Sequence, residues 1–163
     1  MRFLPTGDII KFKNLLLDDA NRRMLEIMEG GNCIAIHVRR GDYLLPPHNK
    51  VFAGICTKEY YQKAISIMKS KFDKPKFFFF SNDMEWVKAN IQLEDVDCYY
   101  IDWNIGDKSV FDMYLMSQCK GNILANSTFS FWGARLGKYN IVIYSQKWFN
   151  MIEPPNIFLC ILI

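Results

Sequence analysis

The stretch Cys33-Ile34-Ala35-Ile36-His37-Val38-Arg39-Arg40-Gly41-Asp42-Tyr43 decides the fold. Its start is apolar without polar alternation, which reads as a strand covered on both faces, as in parallel sheets. Comparable runs recur at Phe77–Phe80, Cys98–Ile101, Ile123–Ala125 and Ile141–Tyr144. Helical patterns fill the gaps: Asp8–Glu29, Lys58–Lys71 behind a Thr57 cap, Met84–Asn90 behind Asp83, and Val110–Cys119 behind Ser109. A last helix opens at Thr128 or Ser130 and stops near Gly137. Strand–helix alternation of this kind predicts an α/β fold with a parallel sheet. Such sheets bind ligands beyond the carboxyl ends of their strands, so the loops after Val38, Phe80, Ile101 and Ala125 become the candidate site.

The chain has 163 residues, half of them hydrophobic and 15% aromatic, enough for one well-packed domain and too apolar for a disordered one. A net charge of +3 without a dense basic stripe argues against nucleic acid as partner. Five cysteines with no Cys-x-x-Cys pair suit buried thiols in a reducing compartment. The N-terminus lacks a signal pattern and the longest apolar run, Ile157–Ile163, is too short to span a bilayer, so no transmembrane segment is expected. A cytoplasmic location follows. The apolar tail 151–163 is expected to mark a truncated end.

At the exit of the first run, His37 and Arg39 point to one face of an extended chain and Val38 and Arg40 to the other. Two arginines at the end of a buried strand need partners. A diphosphate, gripped in bidentate fashion, is one solution. An ion pair with Asp42 or a distant carboxylate is the other. His37 is either a satisfied core histidine or a ligand contact, and Gly41 would let the backbone turn sharply beside a ligand. Arg40-Gly41-Asp42 also spells an integrin-recognition triplet, which requires an exposed extracellular loop.

The fourth run exits into Asn126-Ser127-Thr128-Phe129-Ser130-Phe131-Trp132-Gly133. A hydroxyl-rich turn into a helix offers hydroxyls and free N–H groups to an anion, or serves as an ordinary N-cap. Asp112, an acid among apolar residues near a helix start, either favours the helix dipole or accepts hydrogen bonds from a guanine edge. Ser81-Asn82-Asp83 is a helix cap or a site lining. No acidic cluster suited to a metal is seen.

These pieces together resemble the alpha-1,2-fucosyltransferase family. The matching segments are Ile36–Tyr43, Tyr60–Ile65, Phe79–Asp83 with Trp86-Val87-Lys88, Asp102-Trp103-Asn104, Asp112–Lys120 and Asn126–Ala134, in family order across roughly residues 30–148. The resemblance implies a Rossmann-like parallel sheet flanked by helices, the C-terminal, donor-binding half of a GT-B-type glycosyltransferase. In that reading residues 1–30 are a helical lead-in and 31–150 the GDP-fucose-binding domain. The implied reaction moves L-fucose from GDP-fucose to the 2-hydroxyl of a galactose-terminated glycan, with inversion and without a metal or cofactor. Bacterial-type members imply a cytoplasmic site, peripheral to the inner membrane. By the same analogy Arg39 neutralises the departing phosphate, with Asp42 the nearest candidate base. His37 and Asp112 hold the guanosine; Arg40, Gly41, Asn126, Ser127, Thr128, Phe129 and Ser130 line the donor. Two departures stand out: Phe131 where the family shows a second tryptophan, and Gly121 where histidine is common. A non-catalytic GDP-binding module is the alternative, since only about thirty residues precede the motif strand.

Overall fold

The computed structural model describes residues 12–13, 15–137, 141–150 and 161–162. Its elements run α1 (Asp19–Met28), β1 (Asn32–Val38), a 3-10 turn (Gly41–Leu44), α2 (Asn49–Phe52), α3 (Lys58–Lys71), β2 (Pro75–Ser81), α4 (Met84–Asn90) and β3 (Cys98–Ile101). A second 3-10 turn (Gly106–Lys108) then leads to α5 (Ser109–Gln118), β4 (Gly121–Ile123), α6 (Thr128–Arg135), β5 (Ile141–Ile143) and β6 (Ile161–Leu162). The sheet order is β3-β2-β1-β4-β5-β6. The first five strands are parallel, and β6 pairs antiparallel with β5 through Val142↔Leu162 and Ile143↔Ile161. Those two residues lie within the segment expected to be a tail; residues 151–160 and 163 of it lie outside the described residues.

The uninterrupted phenylalanines of β2 explain why its sequence does not alternate. Phe77 and Phe79 pack with Ile34, Ile36 and Val38 against Tyr61, Ile65 and Met68 of α3 and Val87 of α4. Phe78 and Phe80 turn to the opposite face, with Ala35, Leu115 and Met116 of α5, and Met28 of α1. All four rings are fully buried. Helices on both faces leave no polar side for the strand to show.

Thr57 and Asp83 cap their helices as expected, accepting from Tyr60 N at 3.3 Å and Trp86 N at 3.2 Å. Elsewhere the ends differ. Of the helix expected over Asp8–Glu29, residues 8–11 and 14 lie outside the described residues, and the helix seen begins only at Asp19. There Asp18 accepts from Asn21 N at 3.1 Å and starts the chain turning. Ser109 is the first residue of α5, because the preceding 3-10 turn feeds directly into it and Lys108 takes the cap position. Of the two openings expected for α6, the helix takes Thr128, with Ser127 in the cap position and no hydrogen bond from its side chain. β4 comes two residues early, at Gly121–Ile123. Gly121 fits there because it has no side chain: a Cβ would meet Ile34 Cδ1 at 2.8 Å and Met68 Sδ at 3.1 Å. Histidine at this position would require both neighbours to move.

The winding positions everything else. From β1 the chain steps outward to β2 and β3 through α3 and α4 on one face; α5 then carries it back across the other face to β4, next to β1. The strand order therefore reverses between β1 and β4, and their exits diverge to opposite faces. A crevice at the carboxyl ends follows from that divergence.

Phe79 is fully buried and stacks on Tyr100 at 5.1 Å between centroids. Phe79→Ala is expected to cost about 3–5 kcal/mol, measured as a drop in the urea midpoint at unchanged m-value.

Candidate functional site

The crevice is built from the exit of β1. Tyr61 of α3 donates its hydroxyl to the His37 carbonyl at 3.1 Å, fixing the strand where it leaves the sheet. His37, only 4% exposed, lies against Phe129 of α6 with ring centroids 5.4 Å apart. Burial, aided by the Arg39 charge, pushes its imidazole down to about 3, so it is neutral near pH 7. Its Nδ1 is buried with no hydrogen-bond partner among the described residues, and so is Nε of Arg39.

The two arginines part company, as their positions on an extended chain require. Arg39 Nη2 pairs with Asp42 at 2.9 Å and its guanidinium lies 5.6 Å from the Tyr43 ring. Arg40 goes to the other face, where it pairs with Asp83 at 3.2 Å and stacks over Trp86 of α4 at 4.0 Å. Burial would raise the Asp42 carboxyl, but the hydrogen bond and charge of Arg39 outweigh it and hold Asp42 below the usual range. Asp42 is thus partnered with Arg39, not with Arg40.

Asn82, after β2, latches this turn. Its Oδ1 accepts from Arg40 N at 2.9 Å while its Nδ2 donates to Asp42 at 3.2 Å. A Cβ on Gly41 would lie 2.5 Å from Asn82 Nδ2. Close approach of that amide is what glycine provides here.

Opposite, the β4 exit supplies the second wall. Asn126 donates to the carbonyls of Phe52 at 3.3 Å and Trp148 at 3.2 Å, strapping the loop that follows β1 to the segment after β5. Tyr43 closes the gap by donating to the Asn126 carbonyl at 3.1 Å, with the Ser127 side chain beside its hydroxyl. Ser130 is fully buried and turns its hydroxyl back to the carbonyls of Ala125 at 3.1 Å and Ser127 at 2.9 Å. Thr128 is exposed at the first turn of α6, where backbone N–H groups lack intrahelical partners. The structure thus brings His37, Arg39, Asp42, Ser127 and Phe129 around one crevice. It turns Arg40, Asn126 and Ser130 into its supports.

Asp112 lies at the carboxyl edge of the same sheet, in the first turn of α5, the helix that follows β3. Burial pushes its carboxyl up to about 7, against the hydrogen bond from Asn104 Nδ2 at 2.7 Å. Asn82, Tyr43 and Asn104 lie inside the segments that carry the family resemblance, yet their residue types alone suggest only caps and turns. Asn21, fully buried behind Asn104, has no signal in the sequence at all. Among the described residues no group of three His, Cys, Asp or Glu side chains gathers as a metal site, and no helix is long and apolar enough to cross a membrane.

A buried carboxyl with a raised pKa makes a stability prediction. Its protonated form favours the folded state, so stability is greatest below the ordinary value of 3.8 and declines as pH rises toward about 7. Asp112→Asn is therefore expected to melt a few degrees above the parent at pH 8, each kcal/mol being worth about 2–4 °C. The gap should close by pH 4. Melting curves at the two pH values check this.

The family model for glycosyl transferase family 11 matches residues 15–151. The O-antigen biosynthesis glycosyltransferase WbnK of Escherichia coli is 38% identical over 125 residues, which is 76% of this chain and 41% of that protein. An alpha-1,2-colitosyltransferase of Escherichia coli is 36% identical over 137 residues, 81% of this chain and 46% of that protein. A galactoside alpha-(1,2)-fucosyltransferase 2 of Gorilla gorilla gorilla is 32% identical over 109 residues, covering 65% of this chain and 31% of that enzyme. The chain spans less than half the length of these relatives.

Proposed function

Because the chain belongs to glycosyl transferase family 11, we propose that it is the donor-binding half of a GT-B-type transferase that moves L-fucose from GDP-fucose to the 2-hydroxyl of a galactoside. The observation that carries this reading is the pair of buried nitrogens, His37 Nδ1 and Arg39 Nε, that lack partners among the described residues where the β1 and β4 exits diverge. Buried polar atoms are almost always hydrogen-bonded, so two together beside a half-buried guanidinium suit a polar, anionic ligand. Residues 31–150 would form the unit that holds the donor.

In this reading the neutral imidazole of His37 and the Asp112 carboxylate take the guanosine. Arg39 and the free N–H groups at the start of α6 take the diphosphate, with Ser127, Thr128 and Phe129 along the phosphates and sugar. Arg40, Gly41, Asn126 and Ser130 hold those walls in place. The acceptor oxygen attacks C1 of the fucose from the face opposite the diphosphate. The C1–O bond breaks, its electron pair leaves on GDP, and the configuration inverts. Developing charge on the β-phosphate is met by the fixed guanidinium and N–H donors, a means of stabilisation that requires no metal.

Asp42 would take the acceptor proton. Its pairing with Arg39 makes it a weak base as it stands. Once Arg39 turns to the phosphate, the carboxylate loses that partner and its basicity rises. Donor binding would thereby prime the base.

The relatives named for both fucosyl and colitosyl transfer share the match, so the donor sugar is a separate question from the nucleotide. Calorimetry with GDP and UDP is expected to show a preference for GDP. Arg39→Ala should weaken GDP binding about 10–100-fold, the worth of roughly 1.5–3 kcal/mol for a charge-assisted contact. Unchanged affinity in that variant would overturn the phosphate assignment. Turnover with GDP-fucose and a galactoside in EDTA tests the transfer step; binding without turnover under any donor would favour a non-catalytic module.

A further inference from the structure

Behind Asp112 lies a buried polar chain that no step above uses. Asn21 of α1 is fully buried and Asn104, in the loop after β3, is 8% exposed. Their side-chain amides pair reciprocally, each donating to the other's oxygen at 2.8 Å. The remaining hydrogen of Asn104 goes to Asp112 Oδ1 at 2.7 Å. Asn21 is held in turn: its Nδ2 also donates to Asp18 at 2.8 Å and its Oδ1 accepts from Trp103 Nε1 at 3.3 Å. Because Asn104 presents its nitrogen to Asp112 Oδ1, its oxygen faces Asn21 and the reciprocal pairing follows. The chain crosses three elements, α1, the β3–α5 loop and α5.

Burying two primary amides is costly unless nearly every hydrogen is used. A helix pair could be closed more simply by aliphatic packing, as Met28, Leu115 and Met116 do nearby. The polar chain instead ends on a carboxylate in the first turn of α5, at the carboxyl edge of the sheet. No hydrogen bond among the described residues engages the other oxygen, Oδ2. Burial disfavours the ionised form of Asp112, and the Asn104 bond opposes that effect.

We infer that Asn104, locked by Asn21, is a positioning residue that sets the plane of the Asp112 carboxylate for a guanine edge and so determines nucleobase selectivity. This rests on the reading of Asp112 as the base contact. Guanine offers two parallel donors, the ring N–H and the 2-amino group, and both are met only when the two carboxylate oxygens lie in the base plane. Rotation of that plane loses the second bond first. Hypoxanthine lacks the 2-amino group, so inosine diphosphate reports on that bond alone.

The experiment compares affinities for GDP and inosine diphosphate in the parent chain and in Asp112→Ala, Asn104→Ala and Asn21→Ala. The parent is expected to favour GDP by about tenfold or more, one hydrogen bond to a charged group being worth at least that. Asn104→Ala should bring the ratio close to one, and Asn21→Ala should lower it partway. Equal weakening of both ligands, with the ratio kept, would show a merely structural clamp and overturn the inference. If Asp112→Ala leaves GDP affinity unchanged, the underlying base assignment fails instead. Should the asparagine variants not fold, the parent protein labelled with nitrogen-15 at asparagine decides: the Asn104 side-chain signals are expected to shift more with GDP than with inosine diphosphate. Equal shifts with both ligands would sink the idea.

Discussion

The pairing of β1 with β4 is the constraint on which the site depends. It is the place where the chain, having wound outward through β2 and β3, returns across the opposite face. Neighbouring strands then send their continuations to different sides of the sheet, one toward α3 and one into α6. Neither connection can cover the gap between them. The His37 carbonyl, tied to Tyr61, marks one lip, and the Asn126 carbonyl, tied to Tyr43, marks the other. The Tyr61 hydroxyl thus fixes the β1 exit, and the Tyr43 hydroxyl ties it to the β4 exit.

Charge at this rim is arranged so that one guanidinium is committed and the other can be recruited. Arg40 is stacked on Trp86, paired with Asp83 and tethered at its backbone by Asn82, a set of contacts that fixes it in α4's territory. Arg39 has a carboxylate neighbour from its own loop and an aromatic face, with one nitrogen left over. A half-buried pair between two residues three apart in one loop, its side chains 34% and 44% exposed, is worth little by itself. Exchanging Asp42 for a phosphate is therefore inexpensive, whereas freeing Arg40 would dismantle a packed contact. The same side-chain type is fully engaged at one position and left with a spare nitrogen at the next because strand pleating sends them to opposite faces.

The buried amides extend this logic away from the crevice. Carboxylates near a sheet rim are common, but a carboxylate whose orientation is set through two asparagines from separate elements is tied to how α1 and α5 pack. Phe12, ahead of α1, adds an edge-on aromatic contact to Tyr114 of α5, with centroids 5.2 Å apart. The orientation of Asp112 is thereby coupled to the packing of α1 against α5.

By itself the sequence determined the class of fold and the neighbourhood of the site. Runs such as Phe77–Phe80 have no polar face, which only a doubly covered strand tolerates, and Thr57 and Asp83 announce their helices by local hydrogen bonds that need no tertiary partner. The motifs around Arg39 and Ser127 were legible for the same reason, since each is contiguous in the chain. Tertiary structure decided the rest. Which arginine is stacked and paired against α4, why Gly41 must be small, and what locks Asn104 beneath Asp112 all turn on residues 40 to 83 positions away in sequence: Asp83, Asn82 and Asn21. Such partners are chosen by sheet order and helix packing. Those depend on the summed burial of both faces, and no local pattern in the chain records them.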